Sequence, residues 1–207
     1  MRQNTIAVSG PLTVIIDNVD GDLQVAGWER ANWFAEPGQE REYKYSWKRQ
    51  NWFENQKAEH LAVRNSVGLF DMTSFGKIRV EGRDAAAFLN RVCSAEVDVP
   101  VGKIVYTMFL NAKGGIEADV TVTRLSETAY LIVVPGATLQ RDLAWLRRHL
   151  GDAFAVVTDV TAGESVLCVM GPKARDVLAR ICPDDLSNAA FPFGTAKEIE
   201  VGMGLAR

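Results

Sequence analysis

The sequence predicts a globular chain that mixes strands and helices and uses one strand–turn–helix–hairpin unit twice. Three observations carry this reading. The 207 residues are 47% hydrophobic, 24% charged and 9% aromatic, an ordinary globular composition that excludes a disordered, collagen-like or coiled-coil chain. The apolar spacing switches along the chain between a period of 2 and a period of 3.6. Finally, Val80-Glu-Gly82-Arg-Asp-Ala85-Ala-Ala-Phe-Leu89-Asn-Arg91-Val-Cys93 aligns on Val169-Met-Gly171-Pro-Lys-Ala174-Arg-Asp-Val-Leu178-Ala-Arg180-Ile-Cys182. The offset is a constant 89, and six positions are identical. Val99-Pro-Val-Gly102 is echoed by Phe191-Pro-Phe-Gly194 at an offset of 92.

In chain order, residues 12–16 and 23–26 read as short strands around the turn signal Asn18-Val-Asp-Gly21. Between 28 and 53 the aromatics Trp28, Trp33, Phe34, Tyr43, Tyr45, Trp47, Trp52 and Phe53 follow neither period. The plain reading is an irregular segment whose rings plug surface grooves, and the sharper one a junction that packed on a neighbouring domain. Phe53, Lys57, His60, Leu61 and Arg64 share helical spacing, which predicts a helix over 51–67 with Gly68 as its stop and His60 half-buried.

Lys77–Val80 alternates as a strand, and residues 83–93 form an Ala-rich helix. Ile104–Leu110 and Ile116–Leu125 are strands joined by Asn111-Ala-Lys-Gly-Gly115, where glycine tolerates positive φ. Tyr130–Val134 is a further strand. Leu139, Leu143, Leu146 and Leu150 put one apolar face on a helix over 138–150 that Gly151 stops. In the second copy of the unit, the strand after Gly194 runs into Gly202-Met-Gly-Leu-Ala-Arg207. Its hairpin partner is expected to be missing, leaving a sticky edge that a longer chain or another chain completes.

The formal net charge of −3 favours neither nucleic acid nor an anionic membrane, since phosphate binding draws on a basic excess. No apolar run approaches the ~20 residues that span a bilayer, and residues 2–16 are too broken for a secretory signal. Cys93, Cys168 and Cys182 form no C-x-x-C pair, so a disulfide framework gives way to a reducing, cytosolic setting. With only His60 and His149, no cluster has metal-ligand spacing. Gly202-Met-Gly204 lacks the third glycine and the helix of a dinucleotide site.

Alternation places Ile116, Ala118, Val120 and Val122 on one strand face and Glu117, Asp119, Thr121 and Thr123 on the other. By pattern alone Asp119 is an ordinary solvated carboxylate. Tyr106 lies in the partner strand, and the two could form a small polar recess.

Gly68-Leu-Phe-Asp71-Met-Thr-Ser, Gly82-Arg-Asp-Ala-Ala-Ala-Phe-Leu89 and Tyr106-Thr-Met-Phe-Leu-Asn-Ala-Lys-Gly-Gly-Ile-Glu-Ala-Asp119 resemble the folate-binding domain of the aminomethyltransferase (glycine-cleavage T-protein) family, as does Val169-Met-Gly-Pro172. Gly27-Trp-Glu-Arg-Ala-Asn-Trp-Phe34 and Gln50-Asn-Trp-Phe53 resemble, more narrowly, the C-terminal half of dimethylglycine and sarcosine dehydrogenases, where a flavin oxidase half precedes the folate half. A polar residue is usual in the glycine-cleavage branch where Pro135 stands here.

The resemblance implies an α+β fold of internally duplicated antiparallel sheets with packed helices, truncated in the second repeat. Residues 1–50 would be N-terminal strands and a junction segment, and 51–207 the folate-binding domain. It implies tetrahydrofolate as cofactor and FAD only in an upstream domain. The partners implied are a methylamine-derived iminium and a flavin oxidase domain or chain, with no nucleic acid or membrane. By the same resemblance Asp119 lies beside the reactive amines, Tyr106 contacts the folate, and Val134 lines the pterin pocket. Glu117 does not match the family position. The expected function is one-carbon transfer to tetrahydrofolate, giving 5,10-methylenetetrahydrofolate, in the cytoplasm or a mitochondrial matrix, with this length of chain inactive by itself. The alternatives are a stand-alone glycine-cleavage-type aminomethyltransferase and a non-catalytic interaction domain.

Overall fold

The computed structural model describes residues 33–207. The strands expected at 12–16 and 23–26, the turn between them, Trp28, and residues 27–32 of the tryptophan motif lie outside the described residues. The chain divides into two compact units, one running to Gly68 and including Met170–Pro172, the other holding Leu69–Val169 and Lys173–Arg207.

In the first unit, residues 34–52 form no regular element and are organised by side chains. Trp33 is buried. Trp52 is the hub, 6.5 Å from Trp33 and edge-on to Tyr43 and Tyr45. Asn51 Nδ2 donates to the Glu42 carbonyl while its Oδ1 accepts the Lys44 N–H. These rings pack on one another, and Tyr45 and Trp47 are exposed. Helix α1 (Phe53–Asn65) follows. It ends earlier than expected: the Ser66 N–H caps the Ala62 carbonyl, and Gly68 already belongs to a strand. No α1 residue is buried, and His60 is exposed, with Nδ1 2.7 Å from the Gln56 carbonyl. Of the five residues that set the spacing there, Lys57 and Arg64 are charged and His60 is polar, so Phe53 and Leu61 alone supply no continuous packing face.

The second unit is built on a five-stranded sheet. Its strands are β2 (Gly76–Glu81), β3 (Ile104–Leu110), β4 (Ile116–Arg124), β5 (Ala129–Val134) and β6 (Val156–Asp159), in the order β3-β4-β5-β2-β6. Neighbouring strands pair antiparallel throughout. β1 (Gly68–Asp71) and β7 (Leu167–Met170) make a separate two-stranded ribbon. Helices α2 (Ala85–Val92) and α3 (Leu139–His149) contribute to the core on one face of the sheet, and α4 (Ala174–Leu178) is a short helix after β7. Ile78, Val80, Phe109, Val120, Val122, Ile132 and Val134 meet Phe88, Leu89, Leu143 and Leu146 there. Alternation sends the neighbouring residues of each strand to the opposite, open face.

The fold is therefore α+β with antiparallel sheets, and the duplication has a geometric signature. Gly82 and Gly171 follow the first strand of each copy and both take positive φ, +147° and +118°. A Cβ on Gly82 would stand 2.6 Å from Ala155 Cα and closer still to the Phe154 carbonyl oxygen. On Gly171 it would stand 2.6 Å from the Val63 oxygen. Only glycine fits either turn. Further on, the Ile104 N–H donates to the Gly194 carbonyl at 2.9 Å, and the Ala196 N–H to the Gly102 carbonyl at 2.6 Å. The offset of 92 relates Gly102 to Gly194 and Ile104 to Ala196, so equivalent residues of the two copies pair reciprocally about a local two-fold.

One expectation is corrected. The strand of the second copy is not an unpaired edge: β8 (Ile199–Val201) pairs antiparallel with β9 (Gly204–Ala206) across Gly202-Met203. Gly202 supplies the positive φ, +62°, that a two-residue hairpin loop requires.

Candidate functional site

The β3–β4 hairpin is set by its loop. Asn111 Oδ1 accepts the N–H groups of Lys113 and Gly115, and the Asn111 N–H donates to the Gly115 carbonyl. Gly114 takes a φ of +78° with nothing within 4 Å of its would-be Cβ, so conformation alone selects glycine. This closure fixes the register. Met108 stands opposite Asp119 and Tyr106 opposite Thr121, with an irregularity between Phe109 and Leu110. Ala118, Val120 and Val122 point into the core, which leaves Asp119 on the open face. Ile116, beside the irregularity, is exposed and does not continue the apolar face.

Tyr106 and Asp119 are diagonal neighbours on that face, a separation an aromatic side chain spans. The Tyr106 hydroxyl donates to Asp119 Oδ2 at 3.0 Å, so the two residues singled out in the sequence are in contact on the exposed surface of the sheet. Tyr106 is 61% exposed. Accepting this hydrogen bond, and then its charge, lets the Asp119 carboxylate hold the Tyr106 phenol above the ordinary tyrosine range. Among the described residues no hydrogen bond engages Asp119 Oδ1. Glu117 shares the face but not the contact with Tyr106: its Oε1 accepts from Asn111 Nδ2 at 2.8 Å and is held toward the loop.

Val134 is 1% exposed, on the opposite side of the sheet; a Cβ on Gly76 would stand 2.6 Å from its Cγ2. The structure does not bring it together with Tyr106 and Asp119. Its neighbour Val133 reaches the open face instead, in a row with Thr121 and Lys77.

Lys77 is a feature the sequence reading missed. Alternation in β2 places it on the open face, yet it is 1% exposed, and its Nζ donates to the Thr73 carbonyl at 2.8 Å. Burial pushes the amine below the ordinary lysine value, against the pull of Glu164, Asp159 and Asp71. The only sequence signal was a lysine between the apolar positions of a strand, which reads as solvated.

Among the described residues, no group of three or more His, Cys, Asp or Glu is arranged to hold a metal, and no helix is long and apolar enough to cross a membrane. The three cysteines are free.

An exposed carboxylate oriented by a phenol, on the outer face of an antiparallel sheet in a duplicated α+β chain, defines a class of site that can take a proton or steady a cation. Residues 22–207 match the GCVT N-terminal domain, and the chain belongs to that family. It is 42% identical over 183 residues to the 4-methylaminobutanoate oxidase (formaldehyde-forming) of Paenarthrobacter nicotinovorans, covering 88% of this chain and 22% of the relative. It is 33% identical over 178 residues to the mitochondrial dimethylglycine dehydrogenase of Rattus norvegicus, covering 85% of this chain and 21% of that protein. Among solved structures, the glycine cleavage system aminomethyltransferase T of Bartonella henselae superposes with a TM-score of 0.59 at 27% identity, over 67% of this chain and 39% of that one. The chain spans about a fifth of the length of the two oxidoreductases.

Proposed function

We propose that the chain is a tetrahydrofolate-binding one-carbon (aminomethyl) transfer module, working with a flavin amine oxidase of the dimethylglycine or sarcosine type. The observation that carries this reading is the Tyr106–Asp119 pair on the open face. The residue types suit the ligand: tetrahydrofolate presents N–H donors and a flat ring system, and the pair offers a carboxylate oxygen with no hydrogen bond among the described residues beside an exposed aromatic ring. The 42%- and 33%-identical relatives are an oxidase and a dehydrogenase of methylated amines by name, which supports an oxidised amine as the carbon source. The flavin belongs to the partner in this reading, and no flavin site is assigned to this chain. Three free thiols without a pair favour a reducing compartment, the cytoplasm or a mitochondrial matrix.

Bound tetrahydrofolate would supply the nucleophilic amines that take over a one-carbon unit from an iminium, whose own amine leaves carrying the protons those amines lose. Asp119 performs two tasks there. Its negative charge steadies the cationic iminium. Its Oδ1, free of any hydrogen bond among the described residues, would be placed to accept a proton from the folate amine and to return it to the amine that departs from the one-carbon unit. General-base help of this kind contributes roughly 10²–10⁴-fold. Val134 serves only from beneath, by fixing the packing of β5.

Asp119→Ala in the protein together with its oxidase tests the reading. Transfer to tetrahydrofolate is expected to fall by about 10²–10⁴-fold, while the melting temperature barely changes, because the side chain is exposed. Turnover within twofold of wild type overturns the assignment.

A further inference from the structure

The Tyr106–Asp119 contact is not a by-product of strand pairing. Met108 is the residue opposite Asp119, and Thr121 the residue opposite Tyr106, so the phenol has to lie along the diagonal to reach the carboxylate. A phenol has one hydrogen to donate, and here it is given to Asp119 Oδ2. While that bond stands, the hydroxyl cannot donate to a ligand. The bond also distinguishes the two carboxylate oxygens: Oδ2 is occupied, and Oδ1 has no hydrogen bond among the described residues. An exposed aspartate on a strand otherwise samples several rotamers, and only some of them aim an oxygen at a bound amine.

The other carboxylate of this face illustrates the alternative. Glu117, two residues earlier, is tied by Asn111 and turned toward the loop. Two acids of the same strand face are thus held in different directions by two different donors. The elevation of the Tyr106 phenol has the Asp119 hydrogen bond as its largest cause, as this arrangement requires.

We propose that Tyr106 is a positioning residue that acts through Asp119, holding Oδ2 so that Oδ1 is presented to the amine that loses its proton. This rests on the reading above and differs from the folate contact that family resemblance implied for Tyr106. In the transfer step the N–H bond of the attacking amine breaks, its electron pair stays on nitrogen, and the proton forms an O–H bond at Oδ1. Tyr106 keeps its own proton throughout.

Tyr106→Phe preserves the ring face and removes only the donated hydrogen, which separates the two roles. Tetrahydrofolate affinity is read from the tryptophan fluorescence of the chain, and transfer turnover from the protein with its oxidase. A positioning role predicts a Kd within about twofold of wild type and a kcat about tenfold lower, the size of one hydrogen bond to a charged group. Absorbance titration supplies a readout independent of activity: the tyrosinate signal missing from Tyr106→Phe titrates above the ordinary tyrosine range in wild type and returns toward it in Asp119→Asn. A tenfold weaker Kd with unchanged kcat makes Tyr106 a ligand contact and overturns the proposal, as does a Tyr106 titration indifferent to Asp119→Asn. Failure of the wild-type chain to bind tetrahydrofolate overturns the reading beneath it, and the proposal with it.

Discussion

Gly82→Ala is the sharpest test of the packing that holds the sheet. At a φ of +147° an L-residue is strained, by about 1–2 kcal/mol for left-handed backbone in general. The new methyl would also stand 2.6 Å from Ala155 Cα and nearer to the Phe154 carbonyl oxygen, both backbone atoms that cannot rotate away. Relief requires the 82–84 turn and the 154–155 segment to separate. That separation endangers the Gly82 N–H bond to the Thr128 carbonyl and the Phe154 N–H bond to Asp84 Oδ2, worth about 1 kcal/mol each. The sum is roughly 3–4 kcal/mol, or about 6–16 °C in melting temperature for a domain of this size. Gly151→Ala is the matched control: φ is +61° but nothing lies within 4 Å, so only the strain of about 1–2 kcal/mol remains. Urea and thermal denaturation followed by circular dichroism measure both variants. Equal destabilisation would refute the argument that backbone contact, and not φ alone, demands glycine at 82.

Two further outcomes concern stability. The Arg124 guanidinium donates to Asp98 Oδ1 and to the carbonyls of Val99, Ser126 and Glu127. A lysine ammonium cannot span that fork, so Arg124→Lys is expected to cost about 1.5–3 kcal/mol in a thermal melt, and a loss below about 0.5 kcal/mol would contradict this. Asp71 is held below its ordinary value of 3.8, first by the Thr73 hydroxyl and then by the Thr73 N–H. A depressed carboxyl stabilises the fold above its unfolded pKa, and that contribution is lost as pH falls through the lower folded value. Melting temperature should therefore drop below about pH 4, less steeply in Asp71→Asn, and identical acid slopes would contradict the assignment.

Strong periodicity was legible in the sequence. The leucines at 139, 143 and 146 read as one face and are buried as one, and the alternation in 118–122 separates core from open face as expected. The repeat was legible because its glycines answer to backbone geometry, which composition cannot disguise. Short elements were not. β1, β6 and α4 have four or five residues each, too few to show a period. The β8–β9 hairpin hid behind a Gly-x-Gly run that reads as a loose end. At the site, Tyr106 and Asp119 were legible as candidates but their hydrogen bond was not, because it depends on a register set by the Asn111 loop. Lys77 escaped notice because its burial comes from the segment around Thr73, which strand alternation does not see.

Backbone amide spectra of the chain, recorded while tetrahydrofolate is added, test the central claim most directly. The account predicts shifts that saturate and concentrate at residues 106–108, 117–121 and 131–133, and that Asp119→Ala weakens or abolishes. Saturating shifts confined to other surfaces, or none at any concentration of the vitamin, would contradict it.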